Sequence, residues 1–460
     1  MSITGLLYVA RDALNVNQIG IDITGSNIAN VNTDGYSRER IVVSATGGDF
    51  VRGQLAQVSV SVDKIERQYD RYLEGQIITQ RQHIGYSSTL NDRLSSIENI
   101  FNEAQAGSLN DLLNGMWSAW DTLSANPTGQ VEREAVTAKA QSVAEKLNSF
   151  AISLTQLKAD IKTTIRDTVT TVNSTLKEIR DLNAQIAEAG LKEGQTNILA
   201  DKLMGLLGNL AESIGIMWNE NSDGTVNVYL PNGTPLVERL STFELKAEDV
   251  GNRMIITSPQ VNQGESVNNV ITKGKLGALI TSQDEIIPRY QALLNTFARS
   301  LAEALNAAHT QGVDSDGNQG AYFFMYDAAN PAITIKVNPA IAANARLIAA
   351  SATTEGDGDN AARIAALKDA LIMDGGSSTL NTNFAAIVGR IGRQVADSAA
   401  DLDHQNVIMT NVKNRRESVS GVSIDEEMIA LMKYQLSYAA VGRLIKTTSD
   451  ILDILVNLGE

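Results

Sequence analysis

From Ile3 onward the apolar residues keep a seven-residue beat: Leu7, Leu14, Ile21 and Ile28 fall on one line, with Ile3 and Ala10 on a second line beside it. That spacing predicts a helix with a coiled-coil-like seam. Asn17 and Thr24 continue the second line with polar side chains, which weaken a seam while favouring one register. The helix should stop near Ala29, because Asn30-Val31-Asn32-Thr33-Asp34-Gly35 stacks turn formers and closes on a glycine that tolerates positive φ. Alternation in Gln57-Val58-Ser59-Val60-Ser61-Val62 then predicts an extended segment.

The far end of the chain repeats the beat. Leu431, Tyr438, Ile445 and Leu452 lie seven apart, Met428 flanks them, and Leu444, Ile451 and Leu455 widen the stripe. Tyr8, Tyr434 and Tyr438 read as core or seam residues of these terminal helices. Ser423-Ile424-Asp425-Glu426 fits a capping box, and Asp425, Glu426 and Glu427 favour the positive end of the helix dipole. No proline precedes Pro127 or follows Pro339, so neither terminal helix contains a breaker.

Between Gly129 and Gly190 there is no glycine or proline, and apolar residues from Val143 to Ile186 recur every three or four positions. A continuous helix there would reach roughly 90 Å and needs partners along its length. Helices around Tyr86 to Glu103 and Asp284 to His309 are the candidates. Between Ile214 and about Asn269 the pattern turns to short alternating runs with a Pro231-Asn232-Gly233 turn, which reads as hairpins. A mixed region covers 311–380, with a strand-like Ala332 to Val337 run and a loop from Glu355 to Asn360, before helix returns from Thr382 to Gln405. The expected fold is mainly α with a β-rich insertion: an elongated multi-domain rod with a long-helix bundle in the middle and a small β-rich outer domain. Its parts are 1–65, a terminal helix and extended segment; 66–213, the first part of the rod; 214–270, the β-rich insertion; 271–405, the second part of the rod; and 406–460, the C-terminal helix.

The 460 residues are too many for one ordinary core. Aromatics make up only 5%, which suits narrow helical stripes better than large compact cores. A net charge of −15 without a Lys/Arg cluster disfavours nucleic acid and anionic lipid. No stretch is long and apolar enough to span a membrane, and Met1 to Leu7 lacks the features of a cleavable signal, so an exported chain would need a route that reads an uncleaved N-terminus. Without cysteine there is neither disulfide nor thiolate metal site.

Catalytic and metal motifs are not to be found. His83, His309 and His404 are far apart in sequence. Asp314-Ser315-Asp316-Gly317-Asn318 has its glycine two places early for an EF-hand, and Met325 stands where the bidentate Glu belongs. Asp357 with Asp359 reads as a solvated turn. No Walker loop, dinucleotide fingerprint or nucleophile elbow occurs, so the expectation is a non-enzymatic subunit with no cofactor and no metal.

The run Thr24-Gly25-Ser26-Asn27-Ile28-Ala29-Asn30-Val31-Asn32-Thr33-Asp34-Gly35-Tyr36-Ser37-Arg38 resembles the N-terminal signature of flagellar axial proteins, the rod, hook and hook-associated subunits. Ser26 stands where that signature has the first Asn of a pair, and Asp34 fills a variable position. Ser420 to Met428, Lys433-Tyr434-Gln435 and Tyr438-Ala439-Ala440 are similar to the other end of the family. Trp120 to Thr128, Leu182 to Ile186 and Asn197 to Leu203 resemble its hook-associated members at the hook-filament junction more than its hook subunits. The resemblance implies that the terminal helices pair as a coiled coil inside a hollow axial structure, that export uses the flagellar type III apparatus, and that the subunit works outside the cell. It implies as partners further copies in a ring or layer, the hook protein, a second junction protein and an export chaperone. The interaction residues it points to are Leu7, Leu14, Ile21, Asn27, Ile28, Asn30, Asn32, Gly35 and Tyr36 at one end, and Asp425, Glu426, Glu427, Leu431, Tyr434, Tyr438, Ile445 and Leu452 at the other. The alternatives are another axial part, such as the hook subunit or the second junction protein, or a secreted enzyme on an axial scaffold, for which Glu238, Glu244, Glu248 and Asp249 would be the carboxylates.

Overall fold

The computed structural model describes residues 3–33, 35–46, 50–51, 54–55, 58–101, 107–189, 196–261, 265–354 and 356–457. Asp34, Gln57, the Glu103 end of the early helix and Glu355 lie outside them. Helix α1 (Ile3–Ala29) ends where the turn formers begin. It is followed by β1 (Glu39–Thr46), the short β2 (Phe50–Val51) and β3 (Gln54–Leu55), and β4 (Ser59–Arg67), which pairs antiparallel with β1. This ribbon lies against α1, where Ser59 Oγ donates to Asp12 Oδ2 at 2.7 Å.

The rod begins with α2 (Arg71–Ile100), whose N-cap Asp70 accepts from the Tyr72 and Leu73 N–H groups. Next come α3 (Leu109–Ala125), α4 (Gln130–Ala189) and α5 (Thr196–Ser213). The sixty residues of α4 form one unbroken helix. It survives because its apolar stripe is covered throughout, by α3 and α5 more than by the two helices expected from sequence.

Six strands cover the far half of α4: β5 (Met217–Glu220), β6 (Val226–Tyr229), β7 (Pro235–Glu238) and β8 (Ser241–Thr242) in one antiparallel sheet, then the hairpin β9 (Lys246–Val250) and β10 (Arg253–Thr257). Two asparagines on α4 fix this unit. Asn183 bonds the N–H and C=O of Val226 and the Arg239 carbonyl, while Asn173 bonds both backbone groups of Leu245. Each amide pairs with backbone groups of the strands or of the turns between them.

The chain returns through α6 (Gly274–Thr281), a π-turn at Ser282–Ile286 and α7 (Ile287–His309). Beyond it lie β11 (Phe324–Met325), α8 (Pro331–Thr334), β12 (Lys336–Val337), α9 (Pro339–Ala343) and α10 (Asp359–Ala365). The strand expected over Ala332 to Val337 is thus a helical turn with two strand residues. Pro331 at the helix start and Asn148, whose side chain donates to the Ala332 and Ile335 carbonyls, override the β-branched pattern. Finally α11 (Leu380–Ser420), capped reciprocally by Thr379 and Thr382, runs antiparallel beside α2, and α12 (Ile424–Asn457) lies along α1. Helix α11 does not end at Gln405, so position 405/406 falls inside it.

The core is continuous from α2 to α11. Phe101, Phe150, Tyr290, Phe297 and Phe384 meet where α2, α4, α7 and α11 converge. A second knot holds Trp120, Phe323 and the fully buried His309. His309 Nε2 accepts the Ala349 N–H at 2.9 Å, so Nδ1 carries the proton and donates to the Ala321 carbonyl at 2.6 Å. Burial pushes its pKa down to about 4. A depressed histidine contributes stability that is complete above its ordinary value and is lost as pH falls towards the folded value. Urea unfolding should therefore show about 2 kcal/mol lost between pH 7.5 and 5. His309→Gln should flatten the curve in that window, and equal slopes for both proteins would rule the account out.

Candidate assembly site at the root of the terminal helices

The two terminal helices run antiparallel, since Asn27 meets Glu427 and Gly20 meets Tyr434. At their root sits Asn27, fully buried with every polar atom used. Its Oδ1 accepts from the Glu39 N–H at 3.0 Å and the Tyr36 hydroxyl at 2.9 Å; its Nδ2 donates to the Glu39 carbonyl at 2.9 Å and Glu427 Oε2 at 3.0 Å. An amide can complete the backbone of β1 as a neighbouring strand would and still face a carboxylate. Asn30 closes the helix by donating to the Ser26 carbonyl, Gly35 takes φ +85° in the turn, and Asn32 stands exposed. Burial raises the Tyr36 hydroxyl above its usual range, which keeps it a donor.

Charges tie this root to the rod. Arg38 pairs with Glu426 and with the buried Glu427, each at 2.7 Å, and its N–H donates to the Ser420 carbonyl. Glu426 thus reaches across to β1's approach and not back to its own helix start, as the capping box implied. Ser37 donates through N–H and Oγ to Asp201 on α5, which also pairs with Arg67. Arg416, near the end of α11, pairs with Glu74 of α2 at 2.6 Å and donates to the Gly35 carbonyl at 2.9 Å. Both partners are buried, with side chains 8% and 10% exposed. Elements β1, β4, α2, α5, α11 and α12 therefore converge on the fifteen-residue signature, and Arg38, Arg67, Glu74, Asp201 and Arg416 are functional candidates that no periodicity marks.

The seam is arranged differently from the apolar beat. On α1 the most buried line is Ala10, Asn17, Thr24 and Asn27, with Gly20 between; Leu7, Leu14, Ile21 and Ile28 are half-buried beside it. On α12, Glu427 and Thr448 are buried, and Leu431, Tyr434, Ile445 and Leu452 half-buried. Tyr438 is 41% exposed on the flank and Asp425 faces solvent. Large apolar side chains also stand on the outer side of α12 among its charged residues: Met428, Met432 and Leu436 follow at four-residue spacing, and Ile451, Ile454 and Leu455 continue towards the end, Leu436 being 74% exposed. These exposed apolar side chains have no partner in a single subunit.

The loops considered for metal are occupied by their own backbone. Asp314 accepts from the Asp316 and Asn318 N–H groups, and Asp357 from those of Ala352, Thr353, Thr354 and Asp359. Among the described residues no group of three metal-ligating side chains assembles, and no helix is long and apolar enough to cross a membrane.

The family described as the flagellar hook-associated protein FlgK helical domain matches residues 94–324. The flagella basal body rod protein family matches 7–36, and the C-terminal family of the flagellar basal body rod FlgEFG proteins matches 415–458; these two segments meet at the root described above. Flagellar hook-associated protein 1 of Bacillus subtilis is 28% identical over 503 residues, covering 98% of this chain and 97% of its own. Its counterparts in Salmonella typhimurium and Escherichia coli are 21% and 22% identical, each covering 99% of this chain and 100% of their own. The solved flagellar hook junction protein FlgK of Burkholderia pseudomallei shares the fold, with a TM-score of 0.67 at 17% identity over 75% of this chain and 100% of that one. The chain belongs to the FlgK family of flagellar hook-associated proteins, structural subunits exported to the junction between hook and filament.

Proposed function

We propose that the subunit builds its layer of the junction through the α1–α12 pair, with the Asn27–Tyr36 turn fixing the angle between that pair and the rod. The observation that carries this is the contrast within α12: the residues on its α1 side are buried or half-buried, while Met428, Met432, Leu436, Ile451 and Ile454 are presented to solvent. Burying such a face against neighbouring copies supplies the drive for a ring or layer, at about 25 cal/mol per Å² of apolar area removed from water. The hook protein and the second junction protein are the partners on the two sides of that layer, and an export chaperone is the partner that would shield the face beforehand. In this reading 1–65 and 406–460 form the axial part, 66–213 and 271–405 the rod, and 214–270 an outward unit.

A catalytic role gains no support from the β-rich unit. Glu244 pairs with Lys177 and Asp249 with Lys162, so the carboxylates do not converge. The reading is therefore of a subunit without enzymatic activity. Removing residues 1–29 or 424–460 should leave a soluble, folded rod, judged by its circular dichroism and melting, and should abolish incorporation into flagella. Cells making only the trimmed subunit should carry hooks without filaments. Normal filaments on such cells would refute the proposal.

A further inference from the structure

Far from the terminal helices, a cavity of about 320 Å³ opens between α4, α7, the β9–β10 turn and the start of α8. Its walls carry Thr155 and Lys158 from α4, Gln291 and Asn295 from α7, and Asn252 and Asn330 from the two turns. Lys158 is only 7% exposed, and its ammonium bonds to no described residue. The carboxylates nearby are already engaged. Asp249 holds Lys162 at 2.7 Å, and Asp284 takes Arg253 in a bidentate pair at 2.9 and 2.5 Å. One lysine charge at the cavity wall is thus left without a carboxylate of its own, among carboxamides.

Long lysines usually carry their charge out to bulk water. Here the side chain lines the mouth of the cavity, and partial burial, opposed by Asp284 and reinforced by Lys162 and Arg253, pulls its ammonium below the ordinary range. The surrounding amides can orient towards an acceptor. Asn295 Oδ1 is fixed on the Ala332 N–H at 3.0 Å, which leaves its own amide hydrogens available.

We propose that this cavity binds a carboxylate, with the Lys158 ammonium as counter-charge and the amide N–H groups of Asn295, Gln291 and Asn330 as further donors. A single ammonium matches a monoanion. A phosphate dianion would bring a second negative charge with no guanidinium or second ammonium free to meet it. The carboxylate has two possible sources, a soluble organic acid or an Asp or Glu side chain of an adjoining subunit in the assembled layer.

The test uses the full-length protein. Thermal unfolding is followed in sodium acetate and in N-acetylglutamate against sodium chloride at equal ionic strength, for the wild type and for Lys158→Met, which keeps the packed stem and removes the charge. A soluble source is expected to raise the wild-type midpoint by about 2–4 °C near saturation and to leave the variant unmoved. Lys158→Met in chloride alone should not melt lower than wild type, because it keeps the packed stem and discards a charge that no carboxylate pairs. If neither acid shifts the wild type, zero-length carbodiimide coupling in assembled layers should join Lys158 to an acidic residue of a neighbouring copy, which assigns the second source. A carboxylate-dependent shift that persists in Lys158→Met, or the absence of both the shift and the coupling, overturns the proposal.

Discussion

Arg416→Ala is expected to loosen the terminal helices from the rod while α4 and its partners stay folded. Arg416 is 8% exposed and neutralises Glu74, itself 10% exposed, from an element more than three hundred residues away in sequence. Removing one partner of such a pair leaves the other charge buried and unpaired, a loss of about 3–5 kcal/mol. The same guanidinium also holds the Gly35 carbonyl and lies within 3.4 Å of Ser37 Oγ, so the turn leaving α1 loses its anchor to α11 at the same time. Amide exchange should quicken across Asn30 to Glu39 and the first turns of α12, whereas the Phe150–Phe384 region of the core should keep its protection. In cells the variant should fail to join hook to filament. A matched variant separates charge from packing: Arg416→Met with Glu74→Leu removes both ions and should recover most of the stability. If Arg416→Ala melts and exchanges like wild type, the pair is not what ties the helices to the rod.

Such a residue is invisible to periodicity, and the reason is physical. A repeating apolar pattern reports the face a helix buries, and it located α1, α4 and α12 because each carries its pattern over many turns with no proline against it. The end of α1 was equally legible, since Asn30 and Gly35 are local turn chemistry. Pairing across the chain leaves no such trace. Glu74, Asp201 and Arg416 are ordinary charged residues on helices until the fold brings them to one turn. Which of the two seam lines of α1 is the more buried was not legible, for a related reason. Apolarity marks surface to be buried somewhere, and in the single subunit α1 gives its polar line of Asn17, Thr24 and Asn27 to α12 and the ribbon, leaving the leucine line half open. Short segments fared worst. Over Ala332 to Val337 a β-branched run lost to Pro331 and to side-chain bonds from α4.

Gly20→Leu is expected to force the terminal helices apart. A Cβ at position 20 would sit 2.7 Å from Tyr434 Cε1 and 2.8 Å from two more ring carbons, closer than carbon atoms tolerate. Two effects oppose each other here. In an exposed helix, replacing glycine stabilises by about 1 kcal/mol; at this contact overpacking costs about 1–3 kcal/mol for small additions and more for a branched side chain. The ring cannot simply turn away without uncovering the α1 face that it packs on, so the second effect should win with Leu and come close to balance with Ala. A graded series follows: Gly20→Ala near neutral, Gly20→Leu unable to enter the junction, and Gly20→Leu with Tyr434→Ala largely restored, because the leucine then occupies the volume the ring gave up. Junction assembly scored by filament retention, with exchange protection of α1 as the structural readout, distinguishes these outcomes. Assembly by Gly20→Leu alone at the wild-type level would mean that α1 and α12 are not held at this distance. Failure of the double variant, with the rod intact, would mean that Tyr434 contributes to the junction beyond filling space against Gly20.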